Sequence, residues 1–239
     1  QVFFTPNIET KGKRTTVLIP RGSDWKAALQ RIEQSGTVVD KLSLRFVARL
    51  MKYDQPGAVK PGNYELKDGL TNRQLINVLK SGSQSPLQLT FNTVRLRQDL
   101  VNRLAAQVDV PARTLDSLLR SPAYTKSLGF DTTSILTMFI PNTYELYWNT
   151  SADKLLQRMK KEYEKFWTPA RDAKRQALRL SRAEVSTLAS IVEAEQQQHP
   201  EVGRRLSQRQ RPVGVAGGLV DEPSRSAQPV VVHLHAVLQ

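Results

Sequence analysis

The amino-acid sequence predicts an α+β fold in which a small α/β module precedes a mainly helical domain. Three observations carry that expectation. Short apolar runs with strand character occur at residues 16–19, 63–66 and 87–91; apolar residues recur at helical spacing behind capping residues; and the polar stretch Ser81-Gly82-Ser83-Gln84-Ser85-Pro86 separates a mixed region from one dominated by helical periodicity. A chain of 239 residues is long enough for one large or two small domains with a real core and no disulfide staples.

Residues 1–16 carry Pro6 and the polar run Glu9-Thr10-Lys11-Gly12-Lys13-Arg14 without apolar periodicity, and read as a linker. The strand Thr16-Val17-Leu18-Ile19 then meets a Pro20-Arg21-Gly22 turn. Ser23 is placed to cap a helix with Trp25, Ala28, Leu29 and Ile32 on one face, ended by Gly36. A second helix spans about 41–53, with Leu42, Phe46, Val47 and Leu50 as its apolar stripe and Arg45, Arg49 and Lys52 facing water. Lys60-Pro61-Gly62-Asn63-Tyr64-Glu65-Leu66 is a turn feeding a strand. Thr71-Asn72-Arg73-Gln74 is a capping box opening a helix that Gly82 stops. The module so defined covers residues 17–84.

The second domain, residues 85–200, opens with the alternating strand Leu87-Gln88-Leu89-Thr90-Phe91. Helices follow at about 96–108, 114–119, 151–166 and 169–178, and a last one runs from Ser181 to about Gln197 behind a second capping box, Ser181 and Glu184. No internal repeat is present.

Lys and Arg number 35 against 22 Asp and Glu, a formal charge of +13, and nine basic against three acidic residues fall between Arg158 and Arg182. That run fits either a patch for a polyanion or anionic membrane, or the solvated face of amphipathic helices. Its aromatic residues Tyr163, Phe166 and Trp167 sit at helical spacing, as core residues do, so nucleic acid is not an expected partner. No run reaches the 18 or more apolar residues of a membrane span.

The absence of cysteine removes thiol nucleophiles and zinc-thiolate sites. Neither a Gly-x-Ser-x-Gly elbow nor a glycine-rich phosphate loop occurs. His199, His233 and His235 are the only histidines, and the His233-x-His235 pair has no third ligand nearby, so neither metal nor cofactor is expected.

Two segments offer chemistry instead. Phe139-Ile140-Pro141-Asn142-Thr143-Tyr144-Glu145-Leu146-Tyr147-Trp148 gathers aromatic residues around a polar turn, suited to stacking on sugar rings and equally to a turn leading into a core strand. In Leu188-Ala189-Ser190-Ile191-Val192-Glu193-Ala194-Glu195, the residues Val185, Leu188, Ala189 and Val192 share a helix face with Glu193 at one edge and Glu195 near the other. A carboxyl group beside an apolar stripe is partly desolvated, which favours its protonated form and suits a general acid; the plainer alternative is a pair of surface glutamates.

On these two segments the chain resembles the MltG (YceG-like) family of endolytic murein transglycosylases. The residues Pro141-Asn142-Thr143-Tyr144 are similar to the family's Pro-(Asp/Asn)-Thr-Tyr signature and residues 188–193 to its Leu-Ala-Ser-Ile-Val-Glu helix. Ile19-Pro20-Arg21-Gly22 and Pro61-Gly62-Asn63-Tyr64 resemble elements of the family's LysM-like module, and the aromatic wording around Tyr144 is similar to versions found in Bacteroidetes. The resemblance implies a LysM-like module followed by a YceG-like catalytic domain. The implied reaction cleaves the β-1,4 bond between N-acetylmuramic acid and N-acetylglucosamine in nascent peptidoglycan, leaving a 1,6-anhydro end. Glu193 takes the place of the family's catalytic acid/base, and Asn142, Thr143, Tyr144 and Glu195 are candidates for the substrate groove. It also implies a periplasmic enzyme held in the inner membrane by an N-terminal anchor, with peptidoglycan strands and cell-wall synthases as partners.

After about residue 200 the resemblance stops. Codons permitted for residues 203–209, read one base later, give Ala-Gly-Val-Tyr-Leu-Asn, close to the family's next segment. Residues 201–239 are therefore expected to be an atypical, frameshifted and disordered tail, with a natural divergent terminus as the alternative.

Overall fold

The structure is a computed structural model that describes residues 3–92, 94 and 96–198, with side chains up to residue 192. Two compact units form. The first comprises Gln1–Leu89 with Ala105–Val110 and Glu145–Ser151, and the second Thr90–Leu104, Pro111–Tyr144 and the chain from Ala152.

In the first unit, β1 (Thr15–Ile19) and β2 (Gly62–Leu66) pair antiparallel, with Val17 opposite Tyr64 and Ile19 opposite Gly62. Three helices accompany them: α1 (Trp25–Gln34), α2 (Lys41–Leu50) and α3 (Asn72–Ser81). Ile19, Ile32, Leu44, Tyr53, Tyr64 and Ile76 are among the side chains that close this core. The Thr71–Gln74 capping box forms as the sequence predicts, and Gly82 ends α3 at φ 74°, a left-handed conformation that costs glycine little. At α1 the cap is Asp24, whose carboxylate accepts from the Ala27 amide at 2.7 Å. The helix starts one residue later than a Ser23 cap would place it, and the Ser23 amide closes the preceding turn on the Pro20 carbonyl at 3.2 Å.

Helix α2 is rotated from its expected setting. It buries Leu44, Val47 and Ala48, while Leu42, Phe46 and Leu50 are 77 %, 59 % and 58 % exposed. The helix carries two apolar arcs, and periodicity alone does not choose between them. The choice is made by polar contacts: Arg45 grips Glu33 of α1 with two N–H···O bonds of 2.7 Å, and Ser43 joins a buried amide network.

That network also incorporates residues 6–10, which the sequence presents as linker. Asn7 donates to the Asn72 side-chain oxygen at 2.7 Å and to the Asp40 carbonyl at 2.8 Å, and accepts from the Asp40 amide at 2.6 Å. The backbone amides of Asn7 and Ile8 share the Leu70 carbonyl, and Thr10 N–H donates to Asp68 at 2.6 Å. One apolar residue, Ile8, enters the core here; the rest of the attachment is hydrogen bonding, which leaves no periodicity to detect.

The second unit contains α4 (Arg97–Ala105, its last residue assigned to the first unit), α5 (Ala112–Arg120), α6 (Pro122–Ser127), a 3-10 turn (Ile135–Met138), α7 (Ala152–Phe166), α8 (Pro169–Ala177) and α9 (Arg182–Gln198). Strands β3 (Leu87–Phe91) and β4 (Asn142–Leu146) pair with each other. Helix α6 and the 3-10 turn were not legible from periodicity because each is too short to complete an apolar repeat; Ser121 nevertheless caps α6 by accepting from Tyr124 N–H at 3.3 Å. None of the described helices is long and apolar enough to cross a membrane.

Replacing Asn7 with Ala leaves the Asp40 amide and the Asn72 carboxamide without their buried partner, which costs about 2 kcal/mol. Urea denaturation of Asn7→Ala is expected to show that loss; an unchanged midpoint would return residues 6–10 to the status of a linker.

Candidate active site

The 3-10 turn Ile135–Met138 organises the first of the two candidate segments. Asp131 braces its entry: one carboxylate oxygen accepts from the Thr133 amide at 2.8 Å and hydroxyl at 2.6 Å, and from the Ser134 amide at 2.6 Å. These bonds, that from the Thr133 hydroxyl foremost, hold the Asp131 carboxyl well below the usual carboxylate range. Ile135 and Met138 are fully buried, and the chain runs from them through Phe139, Ile140 and Pro141 into β4.

Tyr144 lies inside this segment. It is 5 % exposed, its hydroxyl donates to the Ile140 carbonyl, and its ring stacks on Phe91 at 5.4 Å between centroids. Phe139 meets the same Phe91 ring edge-on at 6.1 Å. Burial pushes the Tyr144 phenol up, so it is a neutral donor at any working pH. Two of the aromatic residues that suggested a sugar-stacking surface are thus core. The polar groups the turn presents are Asn142, which is exposed and accepts from Thr143 N–H at 2.8 Å, and Thr143, whose hydroxyl lies 2.9 Å from that of Thr90.

The second segment is α9. Its capping box forms: Glu184 accepts from the Ser181 amide at 2.7 Å, and the Ser181 hydroxyl accepts from Glu184 N–H at 3.2 Å. Its first turn is tied to α8 by Asp172, which receives Arg175 Nε at 2.6 Å and both Nε, at 3.0 Å, and a terminal amine of Arg182. The Arg182 guanidinium in turn lies over the Trp167 ring at 5.3 Å. The paired arginines, Arg182 first, hold the Asp172 carboxyl down at about 2. In the sequence Asp172 is only one charge in a basic run; its bond to Arg182, ten residues on, leaves no local pattern.

Val185 and Ala189 are fully buried, whereas Leu188 and Ile191 are exposed, so the apolar face of α9 is narrower than its sequence predicts. Helix α9 packs against α8 and against the 3-10 turn. The helix that carries one segment therefore contacts the turn that feeds the other. Position 193 continues the row of Val185 and Ala189 at intervals of four; the side chains of Glu193 and Glu195 lie outside the described residues, as do His199, His233, His235 and the expected atypical tail. Among the described residues no group of His, Asp and Glu could hold a metal ion.

The basic run from Arg158 to Arg182 is largely knitted into ion pairs. Arg158 and Lys165 flank Glu162, Lys160 meets Glu164, and Arg175 and Arg182 share Asp172. An open cleft of about 470 Å³ beside the start of α9 is lined by Phe130, Thr137, Tyr163, Arg175 and Arg182 among others, away from position 193.

The YceG-like family model matches residues 17–205 of the chain. Among solved structures, a crystal structure of a protein from Listeria monocytogenes described as YceG-like aligns with a TM-score of 0.46 and 19 % identity, covering 76 % of this chain and 64 % of that one. This chain thus spans less than two thirds of that relative's length. No curated protein sequence matches it.

Because the Asp172 carboxyl titrates near 2 when folded and near 3.9 when unfolded, its stabilising contribution is complete above pH about 4 and is lost as pH falls from about 4 to 2. Thermal unfolding followed across that window is expected to show a steep fall for the native chain and a shallower one for Asp172→Asn. Equal slopes would contradict the pinning of α8 to α9 by this carboxylate.

Proposed function

The chain belongs to the YceG-like family, and on that premise we propose that it is an endolytic peptidoglycan lytic transglycosylase, with Glu193 as its one acid/base group. The observation that supports this reading is that α9, the helix carrying residues 188–193, packs on the 3-10 turn that leads into Pro141-Asn142-Thr143-Tyr144.

In this reading Glu193 donates its proton to the glycosidic oxygen as the bond to C1 of the muramic acid breaks. The resulting carboxylate then takes the proton of the same sugar's C6 hydroxyl while O6 bonds to C1, closing the 1,6-anhydro ring and restoring the acid. No second carboxylate nucleophile enters, in contrast with the carboxylate pairs of ordinary glycoside hydrolases. Asn142 and Thr143 supply hydrogen bonds to the glycan, Tyr144 fixes their backbone from within the core, and Glu195 borders the groove. The first unit is a LysM-like module on the same reading, and the enzyme works in the periplasm, attached to the inner membrane and alongside cell-wall synthases.

The test is incubation with uncrosslinked peptidoglycan strands and mass spectrometry of the products, comparing the native chain with Glu193→Gln. Anhydro ends are expected from the native chain and about 100-fold or more slower from the variant, with strand binding retained. Equal product formation by both would remove Glu193 from the chemistry, and binding without any product would make the chain a peptidoglycan-binding module.

A further inference from the structure

Helix α2 exposes a face that the first unit does not use. Stepping about 100° per residue, Leu44, Val47 and Ala48 occupy an arc of roughly 240–340° measured from Lys41, and these are the buried residues. The remaining surface divides in two. Lys41, Arg45 and Arg49 fall in a row at about 0–80°, and Leu42, Phe46 and Leu50 in a second row at about 100–180°. All six are exposed, as is Lys52 just past the end of the helix.

An open cleft of about 730 Å³ between α1 and α2 adds to the cationic side. Lys26, Lys41, Arg45 and Arg49 line it, along with Trp25, and Glu33 is the one carboxylate among its lining residues. Glu33 is nearly buried and pairs with Arg45, so the cationic character of this side rests on Lys26, Lys41 and Arg49. Arg49 is held beside the ridge by the Trp25 ring, 5.3 Å from its guanidinium carbon. Asp40, the other nearby carboxylate, is turned to the helix start, where it accepts from Leu42 and Ser43 amides.

We propose that this face of α2 docks on an anionic lipid surface, with Leu42, Phe46 and Leu50 entering the acyl boundary and Lys41, Arg49 and Lys52 meeting the headgroup phosphates. A straight ridge of protruding apolar side chains beside a parallel row of cations matches a flat, negatively charged, apolar-cored surface. The long stems of Lys and Arg let their charges stay at headgroup level while the ridge sinks. Shape and charge both select this occupant: a protein partner would need a concave acidic groove fitted to the ridge, whereas a membrane supplies the complementary surface everywhere. The inference is independent of the proposed transglycosylase chemistry, since it rests on residues of the first unit alone.

Co-sedimentation of the full chain with vesicles tests it, using phosphatidylcholine alone and phosphatidylcholine with a third phosphatidylglycerol. The native chain is expected to bind the anionic vesicles preferentially and to lose binding as salt rises. The double variant Leu42→Ser with Phe46→Ser, both at exposed positions, is expected to bind roughly tenfold more weakly with an unchanged melting temperature. The doubly charge-reversed Lys41→Glu with Arg49→Glu should lose the preference for anionic lipid. Any of three results would overturn the proposal: no vesicle binding, equal binding by native and Ser variants, or self-association in the absence of lipid that the Ser variant abolishes. The second would assign membrane affinity to another basic region, and the third would make the ridge an interface between copies.

Discussion

The candidate site depends on the packing of α9 against the four-residue turn Ile135–Met138. Two apolar residues of that turn are fully buried, and both α7 and α9 rest on it. A 3-10 turn this short has little cooperative stability of its own, so its geometry must be imposed from outside. Asp131 does so at its entry with hydrogen bonds to Thr133 and Ser134, and Asp172 does so on the helix side by clamping Arg182 in the first turn of α9. Each carboxylate converts a flexible junction into a fixed one, and each is held low because the bonds that fix it favour its charged form.

Much of this fold was legible in the sequence because its punctuation is local. Both capping boxes formed where Thr71–Gln74 and Ser181–Glu184 announced them, and Gly82 ended its helix in the left-handed conformation. The strands β1, β2 and β3 lie on the runs that suggested them. Reading failed where the deciding interaction is distant. The rotation of α2 is set by the contacts of its Arg45 with Glu33 and of its Ser43 with Asn7 and Asn72, partners that lie outside the helix. Residues 6–10 join the first unit through backbone and amide bonds, for which composition carries no signal.

At the candidate site the sequence shows where Pro141-Asn142-Thr143-Tyr144 lies and not which of its side chains are buried. Tyr144 reads as an aromatic ready to meet substrate, yet stacking on Phe91 and its bond to the Ile140 carbonyl make it a support for its neighbours. The alternation of β4 from Thr143 onward holds the reason: Tyr144 and Leu146 are buried, Thr143 and Glu145 face the other way, and Asn142 is exposed at the start of the strand. The acid/base assignment of Glu193 comes from the family resemblance, and the structure contributes the packing that places its helix beside the turn.

The most direct test of the proposed chemistry is cleavage of peptidoglycan strands in water enriched in oxygen-18, followed by mass analysis of the new muramic ends. An intramolecular attack by O6 under a single acid/base group predicts 1,6-anhydro ends that carry no label. Reducing ends that carry one oxygen-18 would show water as the nucleophile and would contradict the account.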